Sequence, residues 1–273
     1  MKISYGKLRV PLQRVTAHEG HHDLLACEVG VEVLGENFVA AYTEGDNREV
    51  VATDTMKNFI LQESLAYEGA TLEGLLAHLG RGFLATYPVM QAVRMTGREL
   101  RFDRLSDKLF AREQGDHAVA TVELDASGVT DQRSGREDLW LLKVTGSAFT
   151  RFARDEYTTL PERVDRPLFV RMDVFWRYAD PDDAEGPRHV DPKALRTELA
   201  ATFDEFVSES IQHLVHEMGT RMLERYPALR EVSFEAQNRT FDLAEEASAD
   251  ERRKVYTDPR PPYGRIGLTM RRD

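Results

Sequence analysis

The apolar positions of the first part of the chain fall in short runs with little helical period. "LLACEVGVEVLGENFVAAY" (24–42) holds two apolar-rich stretches broken by Gly35-Glu36-Asn37, which predicts two strands joined by a hairpin turn. The period then lengthens. In "VVATDTMKN" (50–58) three apolar residues run into Thr53, Asp54 and Thr55, and a helix is expected to begin near Asp54, with Thr53 or Asp54 as its cap. Met56, Phe59, Ile60 and Leu65 share roughly one face, and the helix should stop near Gly69. Thr71 caps a second helix carrying Leu72, Leu75, Leu76, Leu79 and Phe83, which Pro88 ends. Extended segments are expected around 91–102 and 118–124.

The second half repeats that order. "LWLLKVTGSAF" and "PLFVRMDVFWRY" read as strands, the latter setting Phe169, Arg171, Asp173 and Phe175 against Val170, Met172, Val174 and Trp176. Asp191-Pro192 opens a long helix running to about Tyr226, with Leu195, Leu199, Phe203, Phe206, Leu214, Met218 and Met222 along one stripe. "EVSFEAQ" and "RIGLTM" supply closing strands, and the polar, proline-marked stretch between them predicts a loop with a short helix. Two copies of one plan suggest a duplication, visible in element order rather than in sequence identity. Each copy would be an α+β unit, an antiparallel sheet with helices on one face. A sheet covered on one side only must meet something on the other, and barrel formation on oligomerisation would also close its edges.

Composition narrows the function classes. The chain has 273 residues, 41% hydrophobic and 30% charged, as soluble globular proteins have. No apolar run approaches the roughly 20 residues that span a bilayer, and "MKISYGKLRVPLQ" lacks the apolar core of a signal peptide. A net charge of −11 disfavours nucleic acid as a partner. Cys27 is the single cysteine, so no intrachain disulfide or cysteine-based zinc site can form, and a reducing cytoplasm is the expected location.

Few motifs carry chemistry. "HEGHH" (18–22) has the H-E-x-x-H spacing, but zinc-protease chemistry needs both histidines on one helix face, and here a glycine-containing turn precedes a strand. It reads as a loop. His213 and His216, near Glu209 and Glu217, read as a solvated or interface face. No phosphate loop, nucleophile elbow or dinucleotide fingerprint appears, so neither a metal nor an organic cofactor is expected. What remains is a scattered polar set, each member of which taken singly is a surface or capping residue.

Together the set is more specific. "SYGK" (4–7), "VATDTMKN" (51–58), "FTRFARDEYTTL" (149–160), Asp165-Arg166 and "SIQ" (210–212) occur in an order and at spacings that resemble the urate oxidase (uricase) family, over nearly the whole chain. The resemblance implies the tunnelling fold (T-fold), with one ββααββ unit over 1–130 and a second over 131–273. It implies a homotetramer enclosing a barrel, with active sites at subunit interfaces. It also implies oxidation of urate by O2 and water to 5-hydroxyisourate and hydrogen peroxide without a cofactor.

Carried over residue by residue, Arg166 would pair with the pyrimidine edge of urate through its planar fork, and Gln212 would complete that edge. Phe149 would stack on the purine, the Ile211 N–H would donate, and Asn238 would hold O2 or water above the ring. Thr53 and Asp54 would meet the five-membered ring from another subunit, with Lys7 hydrogen-bonded to Thr53 as a proton relay. One departure stands out. Well-known members read Asn-Lys-His where this chain reads Asn238-Arg239-Thr240, and Thr240 cannot carry charge near neutral pH as histidine can. A purine-binding protein that has lost turnover with that histidine is therefore the alternative. A T-fold enzyme acting on pterins or GTP would need zinc or a catalytic cysteine, and Cys27 lies far from every matched string.

Overall fold

The computed structural model describes residues 3–247 and 253–272. The chain forms two compact units, Met1–Arg136 with Trp176–Val190, and Glu137–Phe175 with Asp191–Asp273. The division expected at residue 130 differs from this one because one long strand, Gly128–Lys143, runs through both.

In the first unit β1 (Ile3–Ala17) and β2 (His22–Gly35) make a long antiparallel hairpin, Ile3 opposite Gly35 and Ala17 opposite His22. The hairpin expected at Gly35-Glu36-Asn37 is therefore corrected. The first apolar run ends one continuous strand, and the second forms a short helix, α1 (Val39–Thr43). Asn37 Nδ2 donates to the Val89 carbonyl at 2.7 Å, which turns the chain away from β2. Phe38 is left in the core beside the alternating, fully buried Val29, Val31 and Val33.

Helix α2 (Thr53–Glu63) buries Met56 and Ile60 and stops at Glu63, short of Gly69. The Ser64 hydroxyl donates to the Ile60 carbonyl at 2.6 Å, and the Arg14 guanidinium holds the Tyr67 and Gly69 carbonyls outside the helix. Helix α3 (Leu72–Thr86) starts as expected, with Thr71 Oγ1 accepting from the Gly74 N–H at 3.1 Å. It packs on β3 (Ala92–Glu99) and, beyond the small ribbon β4 (Phe102–Arg104) and β5 (Phe110–Arg112), on β6 (His117–Asp125). Gly80 permits that approach, since a Cβ there would lie 2.4 Å from Leu124 Cδ1. The β1/β2, β2/β3 and β3/β6 ladders are antiparallel.

In the second unit the strand order is β7 (Gly128–Lys143), β8 (Leu168–Tyr178), β9 (Leu229–Asn238) and β12 (Gly264–Arg271). The single long helix expected from the apolar stripe is in fact two, α4 (Pro192–Glu205) and α5 (Ile211–Arg225). Lys143 Nζ donates to the carbonyls of Phe203, Asp204 and Phe206 at 3.0, 2.8 and 3.2 Å. A cation from β7 thus ends α4, satisfying carbonyls that would otherwise continue it. Between β9 and β12 lies a ribbon, β10 (Leu243–Glu246) paired with β11 (Lys254–Tyr256), where a loop with a short helix was expected. Residues 248–252 of that stretch lie outside the described ones.

Helices α3 and α5 reveal a register that element order alone does not. Both span 15 residues, both carry glycine at the ninth (Gly80, Gly219), and both are followed by Tyr-Pro, at Tyr87-Pro88 and Tyr226-Pro227. Gly219 also faces a sheet, where a Cβ would meet Met270 Sδ at 2.6 Å. The same interval in the chain separates the α2 start, Thr53, from the α4 start, Pro192.

Candidate active site

The residues singled out in the sequence form two groups, one in each compact unit. In the first, Lys7 is half-buried on β1, and directly after it the β1/β2 ladder shifts register, between Lys7 and Val10. Arg9 takes a left-handed φ of 55° in that bulge and pairs with Glu28 through two 3.0 Å hydrogen bonds. Bulges re-aim the side chains beside them, and this one sits at the lysine. Two residues earlier, the Tyr5 hydroxyl accepts from the Val51 N–H at 3.0 Å, while its ring packs edge-on against Phe38. Burial pushes the Tyr5 pKa up. Tyr5 therefore ties the lead-in of α2 to the strand that carries Lys7.

The start of α2 departs from expectation in a useful way. Its cap is neither Thr53 nor Asp54 but Ala52, which has no side chain able to accept a hydrogen bond. Thr53 and Asp54 are the first two helical residues, both exposed. The opening N–H groups are left without an intrahelical or capping acceptor, at the positive end of the helix. Asp54 accepts from Lys57 Nζ at 2.5 Å. That hydrogen bond and the Lys57 charge, with a smaller contribution from Lys7, hold its carboxyl below the usual range. Among the described residues Lys7 and Thr53 make no hydrogen bond to each other, so the direct Lys7–Thr53 bond implied by the resemblance is absent.

In the second unit the segment after β7 is pinned through its backbone. Phe149 and Arg163 exchange hydrogen bonds of 2.7 and 3.0 Å, the Ala148 N–H donates to the Ser208 carbonyl, and the Arg166 N–H donates to the Ser147 carbonyl, both at 2.8 Å. Ser147 and Ser208 are buried. These bonds place the Arg166 guanidinium over the Phe149 ring, 5.2 Å from its centroid, and Phe149 in turn stacks on Phe152 at 4.9 Å. The neighbouring Asp165 does not neutralise Arg166. Its oxygens accept from Thr145 Oγ1 and the Gly146 N–H, each at 2.7 Å, and these bonds hold its carboxyl below the usual range. Arg166 Nε is buried without a hydrogen-bond partner, and burial alone pushes the guanidinium pKa down. Among the described residues no carboxylate pairs with this cation. A half-buried charge of that kind calls for an anion from outside the fold.

Gln212 is not in the middle of a helix, as the unbroken stripe suggested. The break after α4 makes Ile211 and Gln212 the first two residues of α5. Ser210 Oγ accepts from the His213 N–H at 3.1 Å, which leaves the Ile211 and Gln212 N–H groups as the unclaimed donors of that start. Ile211 is buried and Gln212 exposed. Asn238 closes β9 opposite Gly264. The following Arg239 is clamped, its N–H on the Phe169 carbonyl at 2.8 Å and its guanidinium 4.6 Å from the Trp140 ring and 4.0 Å from that of Tyr263. Thr240 is exposed.

Tyr5, Lys57 and Arg239 lie within the strings quoted from the sequence, but only the fold gives them their partners, Val51, Asp54 and the Trp140 and Tyr263 rings. Cys27 is buried in β2, and desolvation pushes its thiol up to about 12, which removes it as a nucleophile.

The uricase family model matches residues 3–127 and 132–267. A uricase of Haloferax volcanii is 43% identical over 99% of this chain and 98% of its own length. Among solved structures, the urate oxidase of Bacillus sp. TB-90 superposes with a TM-score of 0.92 at 36% identity, over 99% of this chain and 100% of its own. Uricase from Arthrobacter globiformis gives 0.89 at 31% identity, over 100% and 94%.

Proposed function

The chain belongs to the uricase family, and from that premise we propose that it oxidises urate with O2 and water to 5-hydroxyisourate and hydrogen peroxide in purine breakdown. The observation that carries this reading within the chain is the half-buried, acid-free Arg166 guanidinium over Phe149. A planar cation beside an aromatic face suits a flat purine anion, which its fork can engage bidentately. The free N–H groups of Ile211 and Gln212, with the Gln212 amide, suit the same edge. Asn238, held by the Arg239 clamp, would keep O2 or water over the ring. Urate is its own reductant, losing two electrons to O2, so the site has to position reactants and move protons rather than supply a redox centre.

Lys7, Thr53 and Asp54 would complete the site from a neighbouring subunit. The uncapped α2 start favours negative charge on the five-membered ring, and Lys7 would exchange protons with Thr53 once urate is bound. This reading makes the chain two tandem T-fold units, which the repeated Gly80/Gly219 and Tyr-Pro pattern supports, in a cytoplasmic homotetramer whose sheets close into a barrel. Tyr157 and Val164, 82% and 87% exposed beside the Arg166 segment, are the kind of apolar surface a neighbouring subunit covers. No helix among the described residues is long and apolar enough to cross a membrane. The family and its relatives give the binding-only alternative no support, and Thr240 then passes protons through water.

The test is the loss of urate ultraviolet absorbance together with oxygen uptake, using metal-stripped protein. Consumption of both with peroxide appearing supports the proposal. Urate binding without turnover would overturn it in favour of the binding protein.

A further inference from the structure

The zinc-protease spacing of His18-Glu19-Gly20-His21-His22 fails as a helix, yet the hairpin assembles a different donor set from the same string. The His18 N–H donates to the His21 carbonyl at 2.9 Å, and Gly20, at a φ of 84°, closes the turn between β1 and β2. His21 is the last residue of that turn and Asp23 the second of β2, while His22, the first, pairs with Ala17. His18, His21 and Asp23 each bring one ligand atom to within 4.8 Å of the others. The two imidazoles stack at 4.7 Å and 14°, and His18 Nε2 is 3.0 Å from Asp23 Oδ2.

We propose that this hairpin tip is a transition-metal site, with His18, His21 and Asp23 as ligands. Two imidazoles and one carboxylate suit Zn²⁺, Ni²⁺ or Cu²⁺, and with three protein ligands a water completes the coordination. Bonds of about 2.0–2.2 Å put donor atoms about 3.3 Å apart, which small side-chain rotations at this tip reach. A support for the carboxylate is already present. Arg104 donates to Asp23 Oδ1 at 2.6 Å, leaving Oδ2 for the ion and fixing the plane of the ligand, while its own guanidinium lies 4.9 Å from the Phe110 ring. The His22 N–H, donating to the Asp107 carbonyl at 3.0 Å, anchors the hairpin to the same neighbouring ribbon. The tip lies about 35 Å along β1 from Lys7 at the usual strand rise, and none of its three ligands belongs to the residues assigned to urate.

The experiment titrates tag-free, chelator-stripped full-length protein with Zn²⁺ by calorimetry near neutral pH. One equivalent per chain is expected. The double variant H18N/H21N should lose that equivalent while oxidising urate at the wild-type rate, which shows that it is folded. H213N/H216N should keep it, and Arg104→Gln should weaken it about tenfold. Absence of saturable binding, or an equivalent that survives H18N/H21N, would overturn the assignment.

Discussion

Helices α2 and α4 begin at corresponding points of the two units, yet their first turns are built in opposite ways. At α4, Asp191 Oδ1 accepts from the Lys193 N–H at 2.9 Å, and Pro192 brings no N–H that needs a partner. That start is sealed. At α2, Ala52 offers no acceptor, and Thr53 and Asp54 stand exposed at the positive end of the helix. A side-chain cap is worth about 1 kcal/mol, and the first unit forgoes it where a ligand's acceptors would take its place. The other pair, α3 and α5, is capped in both units, by Thr71 and Ser210. There the divergence is in the second helical residue. Glu73 is buried 3.6 Å from His189, whereas Gln212 is exposed. On the proposed function, each unit offers the ligand a different helix start, α2 in the first and α5 in the second.

Removing the charge that the second unit leaves unpaired should have the largest effect. Arg166→Ala is expected to cost roughly 3–4 kcal/mol of urate binding, or about 10²–10³-fold in kcat/KM, through KM. A KM close to wild type would show that the cation is not the urate anchor. Lys7→Met should lower kcat about 10²-fold and leave KM within about threefold, as loss of a proton-transfer group does. Intact turnover would remove Lys7 from the relay.

The two helix starts can then be exchanged. Ala52→Asp should stabilise α2 by about 0.5–1 kcal/mol and raise KM about tenfold, because its carboxylate takes the donors proposed to meet urate. Asp191→Ala should destabilise by about 1 kcal/mol with KM unchanged. Denaturant midpoints and steady-state kinetics on both variants read the comparison directly, and equal KM values would dissolve it. The smallest effect concerns acid. The Asp165 carboxyl titrates below its unfolded value, so the stability it contributes is fully present above about pH 4 and is lost as pH falls through its folded value. Asp165→Asn should make the stability–pH curve shallower below that point, and an unchanged slope would mean that Thr145 and Gly146 do not discriminate the charged form.

Much of the fold was legible because burial leaves a period. The alternation of β8, the stripe of α3 and the Thr71 and Asp191 caps can each be read from one segment and its neighbours. Two of the misreadings share a physical origin, a contact made from far along the chain. Asn37 on the Val89 carbonyl turns an expected strand into α1, and Lys143 on three carbonyls cuts one stripe into two helices. The second of these matters for the proposed site, since it converts Gln212 from a residue within a helix to one at its start.

By itself, then, the sequence determined the periodic elements and the order of the unusual strings from "SYGK" to Asn238-Arg239-Thr240, since residue identity is all that either requires. Tertiary structure alone decided that Arg166 has no acid partner, that Ala52 leaves a helix start open, and that His18 meets His21 and Asp23 instead of His22. Those are properties of which groups meet in space, and a chain's local pattern does not encode the partners that distant segments supply or withhold.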